Sequence, residues 1–346
     1  MKNYMMCAAM AGIFGTAANA ADLMPYANTV TANMIVGIQH TITNRALNFA
    51  PHARRVAQPI RTSNESPDRY GTMLYYGEFG DDTGILPMIG RSGGDEDLTP
   101  VRVGFDFTHT SDDVKFDNLA DIDSRTNVAR ISVTPKLGDV DLDIFGGYAG
   151  HHSRNSALDI DGDGAFLGIA ALTDIDGFGF GIVLNGGVMA NTVDSPNATR
   201  DFENMWVGVT VGAVYDMELS PFVMLRPGIT AGYIWVSAQD YVAQNGDNID
   251  IKNLGVLELS PSIDLDFRII DGWHMGGRAA YVMNFTNGGE TLINYVEWPD
   301  LGTKDYIEYD VCFGRRTDRL DLSFNLGRHD FGRTGWHGGA HIGYLF

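Results

Sequence analysis

Alternation of apolar and polar residues, repeated in segment after segment, is the feature that most restricts what this chain can fold into. The segment 101–108, VRVGFDFT, places Val or Phe at each odd position and Arg, Gly, Asp or Thr at each even position. The segments 257–267 (LELSPSIDLDF) and 320–327 (LDLSFNLG) follow the same rule. Successive side chains of a strand point to opposite faces, so these segments are predicted to be strands with one apolar face. Soluble sandwiches and membrane barrels both alternate in this way, so the pattern alone does not separate them.

Twelve segments with this character are predicted as strands: 98–109, 126–137, 140–150, 164–174, 177–191, 204–215, 222–236, 253–268, 273–286, 305–315, 320–329 and 335–346. The connections between them alternate between long and short, except that the last one, around 330–334, is short where a long one is due. Outer-membrane barrels have an even number of strands, short turns on the periplasmic side and long loops outside. The pattern therefore predicts an all-β fold, a twelve-stranded antiparallel transmembrane β-barrel over residues 98–346, rather than a soluble sandwich.

Composition is compatible with such a barrel. Mean hydropathy is −0.09, which is acceptable because only alternate residues of a barrel strand face lipid. The formal net charge of −20 argues against a nucleic-acid partner, which would need clustered Lys and Arg. The predicted partner is outer-membrane lipid, and the oligomeric state is left open. Aromatic belts at both lipid interfaces are predicted from residues near the strand ends: Tyr148, Tyr215, Trp235, Trp273, Tyr281, Phe285, Trp336, Tyr344 and Phe346.

The N-terminus indicates export. Residues 1–20 combine one Lys, a short apolar stretch and Ala18-Asn19-Ala20, which is typical of a cleaved signal peptide. Cleavage after Ala20 leaves a single cysteine, Cys312, so no disulfide is available and a large closed sheet is the expected source of stability. The predicted location is the bacterial outer membrane.

Residues 21–97 are predicted to form a helix and a linker before the barrel. Val30, Met34, Ile38 and Ile42 have helical spacing within residues 27–48. The residues alone leave its position open, and a periplasmic amphipathic helix or a flexible arm is compatible with them. The strand-like segment 70–79 is left outside the barrel because counting it would give thirteen strands.

Several of these segments resemble the β-domain of autotransporters, the translocators of type V secretion in Gram-negative bacteria. The resemblance covers about residues 98–346. It is carried by 225–241 (LRPGITAGYIWVSAQDY), 257–269 (LELSPSIDLDFRI), 273–285 (WHMGGRAAYVMNF), 320–331 (LDLSFNLGRHDF) and 334–346 (TGWHGGAHIGYLF). It implies a twelve-stranded barrel, a lumenal helix just before the first strand and passage of an N-terminal passenger to the cell surface. Only about 75 residues separate the signal peptide from the first strand, too few for a typical passenger. Transport or surface anchoring without a large passenger is therefore the expected function.

The resemblance also implies a role for the end of the chain. In this family a terminal Phe preceded by apolar or aromatic residues at alternate positions is the signal read by the barrel-assembly machinery. The corresponding residues here are Phe346, Tyr344, Ile342 and Ala340. An extended peptide of this kind can add as a strand to a sheet edge.

Charged residues of both signs fall on the polar faces and are predicted to line the lumen. They are Arg102, Arg130, Arg226, Arg268 and Arg278 together with Asp106, Asp143, Glu258, Asp264, Asp266, Glu308, Asp310 and Asp321. They are compatible with an ion-paired interior or with a pore that has ion preference. A porin-like diffusion channel is thus the alternative function.

Sequence signals for chemistry are weak, and no catalytic residue, cofactor or metal is assigned. DIDGDG at 159–164 has the spacing of a calcium-loop start but lacks the Glu expected at position twelve, where Ala170 stands. His151 and Ser153 faintly resemble the H-x-S of outer-membrane phospholipases, but in-phase continuation of their strand points both inward, away from lipid. A lipid hydrolase is accordingly the least favoured function, and Cys312 is interpreted as a small filler.

Overall fold

A computed structural model describes residues 24–55, 101–116, 121–137, 140–156, 158–195, 198–242, 248–269, 272–297, 304–317 and 319–346. Twelve long strands dominate it. They are β1 (Val101–Val114), β2 (Ile122–Leu137), β3 (Val140–Arg154), β4 (Asp159–Ile175), β5 (Phe178–Ser195), β6 (Ala198–Tyr215), β7 (Val223–Val236), β8 (Leu254–Arg268), β9 (Trp273–Gly288), β10 (Tyr306–Arg316), β11 (Leu320–Phe331) and β12 (Arg333–Leu345).

These strands close into a barrel. Each pairs antiparallel with the strand before it and the strand after it. The ring is completed by β1 and β12, whose register runs from Arg102 opposite Leu345 to Val114 opposite Arg333. Each of the twelve described barrel strands thus has a partner on both sides, as hydrocarbon requires of a sheet that spans it. The predicted twelve-stranded antiparallel barrel is confirmed.

The two ends of the barrel differ in their connections. The turn end carries the links around 138–139, 176–177, 216–222, 269–272 and 317–319, and also Phe346. A short strand, Met217–Ser220, pairs with β7 there. The loop end carries the other links. Its two longest, 237–253 and 289–305, contain a small four-stranded sheet made of Tyr241–Val242, Asn248–Ile251, Thr291–Ile293 and Val296–Glu297.

A wide band of the outer surface is apolar. Leu167 is 74% exposed and Ile131 58% exposed, although both lie in the middle of strands. Large exposed apolar side chains recur on every barrel strand, which is the signature of a surface that faces lipid. Eight of the nine aromatic residues predicted for the belts are exposed on this surface: Tyr148, Tyr215, Trp235, Trp273, Tyr281, Phe285, Trp336 and Phe346.

The alternation inverts toward the loop end. On β4, Ala165, Leu167 and Ile169 point outward, whereas Asp159 and Asp161 are the outward residues nearer the loops. On the inner face of the same strand end, Ile160 is completely buried. An outer surface of polar side chains over buried apolar ones is typical of a surface in contact with water and not with lipid. The strands of β3 to β6 therefore extend beyond the lipid band into a water-exposed rim.

This rim corrects part of the sequence interpretation. The stretches at 110–125, 151–163 and 192–203 were expected to be long loops, but most of their residues continue the strands. The link between β3 and β4 spans only residues 155–158. The outward residues of the rim were predicted to be loop residues because they are polar. The strands in fact continue there, with polar side chains outside and apolar side chains inside. The segments 1–20 and 70–79, by contrast, lie outside the described residues.

Candidate functional site in the barrel lumen

One helix, α1 (Met24–Arg55), occupies the lumen. The prediction of a helix over 27–48 is confirmed, and of the locations considered, the lumen is the one found. Ala27, Val30, Thr31, Asn33 and Ile35 are completely buried, and between Tyr26 and Leu47 no side chain is exposed. The helix packs against strands β2 to β8. Among the described residues, no helix is both long enough and apolar enough to cross a membrane.

The direction of α1 along the barrel axis is set by its ends. Near its N-terminus, Tyr26, Ala27 and Val30 belong to a buried cluster with Phe116 and Ile160 from the loop-end rim. Near its other end, Leu47 lies beside Gly181 and Gly212, close to the turn end. The N-terminal end of the helix therefore points to the loop end, and its later residues point to the turn end.

Half of the lumen wall is apolar. Ile38 and Ile42 of α1 share a buried cluster with Phe145, Phe166 and Trp206, which project inward from β3, β4 and β6. Burial of such side chains removes apolar surface from water, at about 25 cal/mol per Å². The apolar residues of α1 that were identified at helical spacing in the sequence thus pack the helix against this half of the wall.

The other half of the wall is charged and ion-paired. Arg226 on β7 places Nη2 3.0 Å from Asp266 Oδ2, and its Nε lies 3.4 Å from Asp216 Oδ1. Arg278 on β9 lies 3.8 Å from Asp264 on β8. Pairing with an opposite charge offsets part of the cost of burying these groups.

A second ion-pair network lies beside β1. Arg130 bridges Asp106, at 3.3 Å, and Asp143, and its guanidinium lies 4.6 Å from the ring centre of Phe145. His341 Nδ1 is 2.8 Å from the other oxygen of Asp106.

A cavity of about 180 Å³ separates α1 from the charged wall. It is bordered by seven of the thirteen charged residues predicted to line the lumen, namely Arg226, Arg278, Asp264, Asp266, Glu308, Asp310 and Asp321. Arg102, also predicted to line the lumen, is half-buried and does not border the cavity. Arg268, also expected inside, is exposed next to the turn end. Cys312 lines the same cavity and is half-buried.

Polar side chains of α1 bind the charged wall. His40 places Nδ1 2.6 Å from Glu258 Oε1 and Nε2 3.0 Å from Glu308 Oε2. Arg45 donates to the side-chain oxygen of Asn325. Arg333 on β12 lies against Gly37, where any side chain would overlap its guanidinium. These partners were missed in the sequence because they meet across the closed lumen, more than 200 positions apart.

The residues considered for lipid hydrolysis lie inside the barrel. His151 and Ser153 are 4% and 0% exposed, with His151 Nε2 3.1 Å from Asn191 Oδ1 and Nδ1 3.4 Å from Ser153 Oγ. Ser153 also donates to Ser124, whose hydroxyl contacts the sulfur of Met34 on α1. A lipid acyl chain approaches from the opposite face of the sheet, so this pair is not placed for that reaction.

Two groups of His and carboxylate side chains in the described part of the chain are close enough to share a metal ion. One is exposed and comprises His152, Asp159 and Asp161; the other is lumenal and comprises Glu308, Asp310 and His337. The DIDGDG segment belongs to strand β4 and does not form a loop. Its three carboxylates therefore project from one face of an extended strand and do not wrap an ion as a calcium loop does, although Asp159 and Asp161 reach the same point beside His152.

The terminal residues lie at the β1–β12 junction. Phe346 donates its backbone N–H to the carbonyl of Val101 at 3.0 Å. Ile342 and Phe346 are 46% and 44% exposed on the lipid-facing side, and the rings of Tyr344 and Phe346 meet edge-on at 4.9 Å. Ala340 faces Phe107 across the same junction.

Solved structures of three autotransporter domains share this fold. The transport unit of AIDA-I from Escherichia coli gives a TM-score of 0.59 at 14% identity, over 77% of this chain and 94% of that chain. The translocator domain of NalP from Neisseria meningitidis gives 0.58 at 13%, over 73% and 90%. The β-domain of the Bordetella autotransporter BrkA gives 0.55 at 12%, over 71% and 99%. No protein-family model matches the sequence, and no curated protein sequence matches it.

Proposed function

We propose that this chain, which has the fold of the autotransporter translocator domains, is an outer-membrane barrel that carries its own N-terminal segment through the lumen and anchors it at the outer surface. The observation that supports this most directly is the course of α1. The helix lies within the lumen, has no exposed side chain between Tyr26 and Leu47, and directs its N-terminal end to the loop end of the barrel. A segment inside the pore whose N-terminal end points to the outer surface is placed either as a passenger during transport or as an anchor for a surface segment.

The expected partners follow from the outer surface of the barrel, its terminal strand and the net charge of the chain. We expect the outward apolar band to contact outer-membrane lipid, since exposed apolar side chains on every strand suit hydrocarbon. We expect the barrel-assembly machinery to recognise the terminal strand through Phe346, Tyr344, Ile342 and Ala340. We expect no nucleic-acid partner, in view of the net charge of −20.

Single-channel conductance in a planar bilayer tests the role of α1. Full-length protein is compared with a deletion of residues 27–48 and with Asp161→Asn, a rim substitution that leaves the lumen unchanged. We expect low conductance for the full-length protein and for Asp161→Asn, and steady open conductance for the deletion. Equal, open conductance in all three proteins would contradict the proposal.

Surface labelling tests the direction of the chain. A short epitope placed directly before Met24 in the full-length protein is expected to bind antibody on intact cells, because the helix begins at the loop end. An epitope reached only after the outer membrane is permeabilised would place the helix the other way round.

A porin-like diffusion channel is the second candidate, favoured by the charged cavity beside α1. It predicts ion-selective conductance with the helix still in place. Neutralising Asp264 and Asp266, which border that cavity, would then change the selectivity of the full-length protein.

A further inference from the structure

Histidine and carboxylate side chains converge at one point of the charged wall. Glu308 and Asp310 project from β10, and His337 projects from the neighbouring end of β12. One ligand atom from each of these three residues lies within 4.8 Å of the other two. His329 on β11 and His40 on α1 complete a group that we call the lumenal cluster.

Within the lumenal cluster, three imidazoles present Nε2 to two carboxylates. His337 Nε2 is 2.6 Å from Asp310 Oδ1. His40 Nε2 and His329 Nε2 are 3.0 Å and 3.5 Å from the same oxygen, Glu308 Oε2. The rings of His329 and His337 stack with their centres 4.4 Å apart. Glu308 thus connects His40 and His329 to the group of Glu308, Asp310 and His337.

Two further carboxylates orient two of the rings from behind. His329 Nδ1 is 3.0 Å from both oxygens of Asp112, and His40 Nδ1 is 2.6 Å from Glu258 Oε1. A carboxylate that accepts the N–H of one ring nitrogen fixes the tautomer and leaves the other nitrogen as a ligand.

The cluster lies beside free space, and one of its ring nitrogens has no hydrogen-bond partner in the part of the chain that the structure describes. The cluster borders the 180 Å³ lumenal cavity, which leaves room for an ion and its water ligands. His337 is 8% exposed, and its Nδ1 has no hydrogen-bond partner among the described residues. A buried polar atom without a partner is costly unless an ion or a water molecule completes its surroundings.

We propose that the lumenal cluster binds one divalent transition-metal ion, with zinc as the best fit. Imidazole together with carboxylate ligands suits zinc and related first-row ions, whereas calcium and magnesium prefer oxygen ligands alone. Glu308 and Asp310 balance the charge of a divalent ion. Since His40 belongs to α1 and the other ligands to β10, β11 and β12, the ion ties the helix to the wall.

The competing explanation for the lumenal cluster is that its histidines are protonated and no metal is bound. Protonated imidazoles could pair with the same carboxylates at the same distances, and no metal would then be needed. This interpretation and ours differ in metal stoichiometry, which is measurable whatever the conductance of the protein. The metal proposal therefore stands or falls separately from the proposed function.

The test uses full-length protein folded in detergent, stripped with a chelator and then dialysed against Zn²⁺. We expect roughly one zinc ion per chain by elemental analysis, no displacement by excess Ca²⁺, and loss of that zinc in His329→Ala and in Glu308→Gln. His152→Ala, which removes the histidine of the exposed rim group, is the matched control and should retain the ion. Heat-modifiable migration in electrophoresis verifies that each variant is folded.

Cobalt provides a second readout that does not depend on the variants. Co²⁺ bound to the wild-type protein should give the visible absorption of nitrogen and oxygen ligation, and Zn²⁺ should abolish it. Absence of stoichiometric metal in folded wild-type protein would overturn the proposal. Retention of the ion by folded His329→Ala and Glu308→Gln, or its loss from His152→Ala, would do the same.

Discussion

At the scale of single residues, the lumen contains buried ion pairs, and removing one partner leaves the other charge buried and unpaired. Arg226→Met removes the guanidinium that Asp266 and Asp216 share. We expect it to lower the free energy of unfolding by about 3–5 kcal/mol, because a buried carboxylate is left without its partner. Urea titration of the barrel in lipid vesicles measures the change.

Arg154→Met is the matched control for this prediction. Arg154 pairs with Asp123 at 3.4 Å, but both side chains are exposed. We expect its loss to cost at most about 1 kcal/mol. Equal effects of the two substitutions would mean that the lumenal pair is solvated like a surface pair.

A glycine on β5 illustrates how closely the inner face is packed. Gly187 lies opposite Trp206, and a Cβ at Gly187 would overlap the indole ring and approach the carbonyl of Ala165. We expect Gly187→Ala to lower the temperature at which the folded band is lost in electrophoresis, since the ring has no free space to enter. Gly277→Ala is the control, because a Cβ there meets its nearest atom at 3.6 Å. A larger loss at Gly277 would contradict this account.

At the scale of elements, α1 distinguishes the two halves of the lumen. Ile42 is 1% exposed in the apolar half, whereas Thr41 borders the charged cavity. We expect Ile42→Asp to raise the open probability of the channel, because a buried carboxylate beside apolar side chains weakens the seat of the helix. Thr41→Asp should have the smaller effect. A larger effect of Thr41→Asp than of Ile42→Asp on the open probability in single-channel recordings would mean that the helix is not held by the apolar contacts of Ile42.

Elements were predictable from the sequence where the physical pattern is local. The period-2 alternation specified all twelve strands, and the spacing of Val30, Met34, Ile38 and Ile42 specified α1. The rim was missed because its polar outward residues resemble a loop until the inward burial of residues such as Ile160 is known. The lumenal cluster was missed because His40 and Glu308 meet only when the barrel closes around the helix.

At the scale of the whole molecule, the inversion of polarity locates the membrane. From Ala165 to Ile175, ten steps along β4 span about 34 Å, or roughly 25 Å of height at a tilt near 40°. This height matches the apolar band of outer-membrane barrels. The outward Asp159 and Asp161 lie beyond it.

Position along β4 should accordingly decide what a new charge costs. We expect Leu167→Arg to destabilise the barrel by about 2–4 kcal/mol, because the charge would enter hydrocarbon. Asp161→Arg, on the same face of the same strand, should cost at most about 1 kcal/mol. Equilibrium folding into vesicles measures both, and equal costs would show that the lipid boundary does not fall between these residues.

The position of α1 inside a closed ring has a mechanical consequence. Because β1 and β12 seal the wall, the helix can leave only by sliding along the barrel axis. A force applied to its N-terminal end would load the apolar contacts and the contacts of His40 and Arg45 together, in shear. Bonds loaded in parallel resist far more force than bonds peeled one after another. The helix should therefore behave as a tether of high rupture force, even where its free energy of binding is modest.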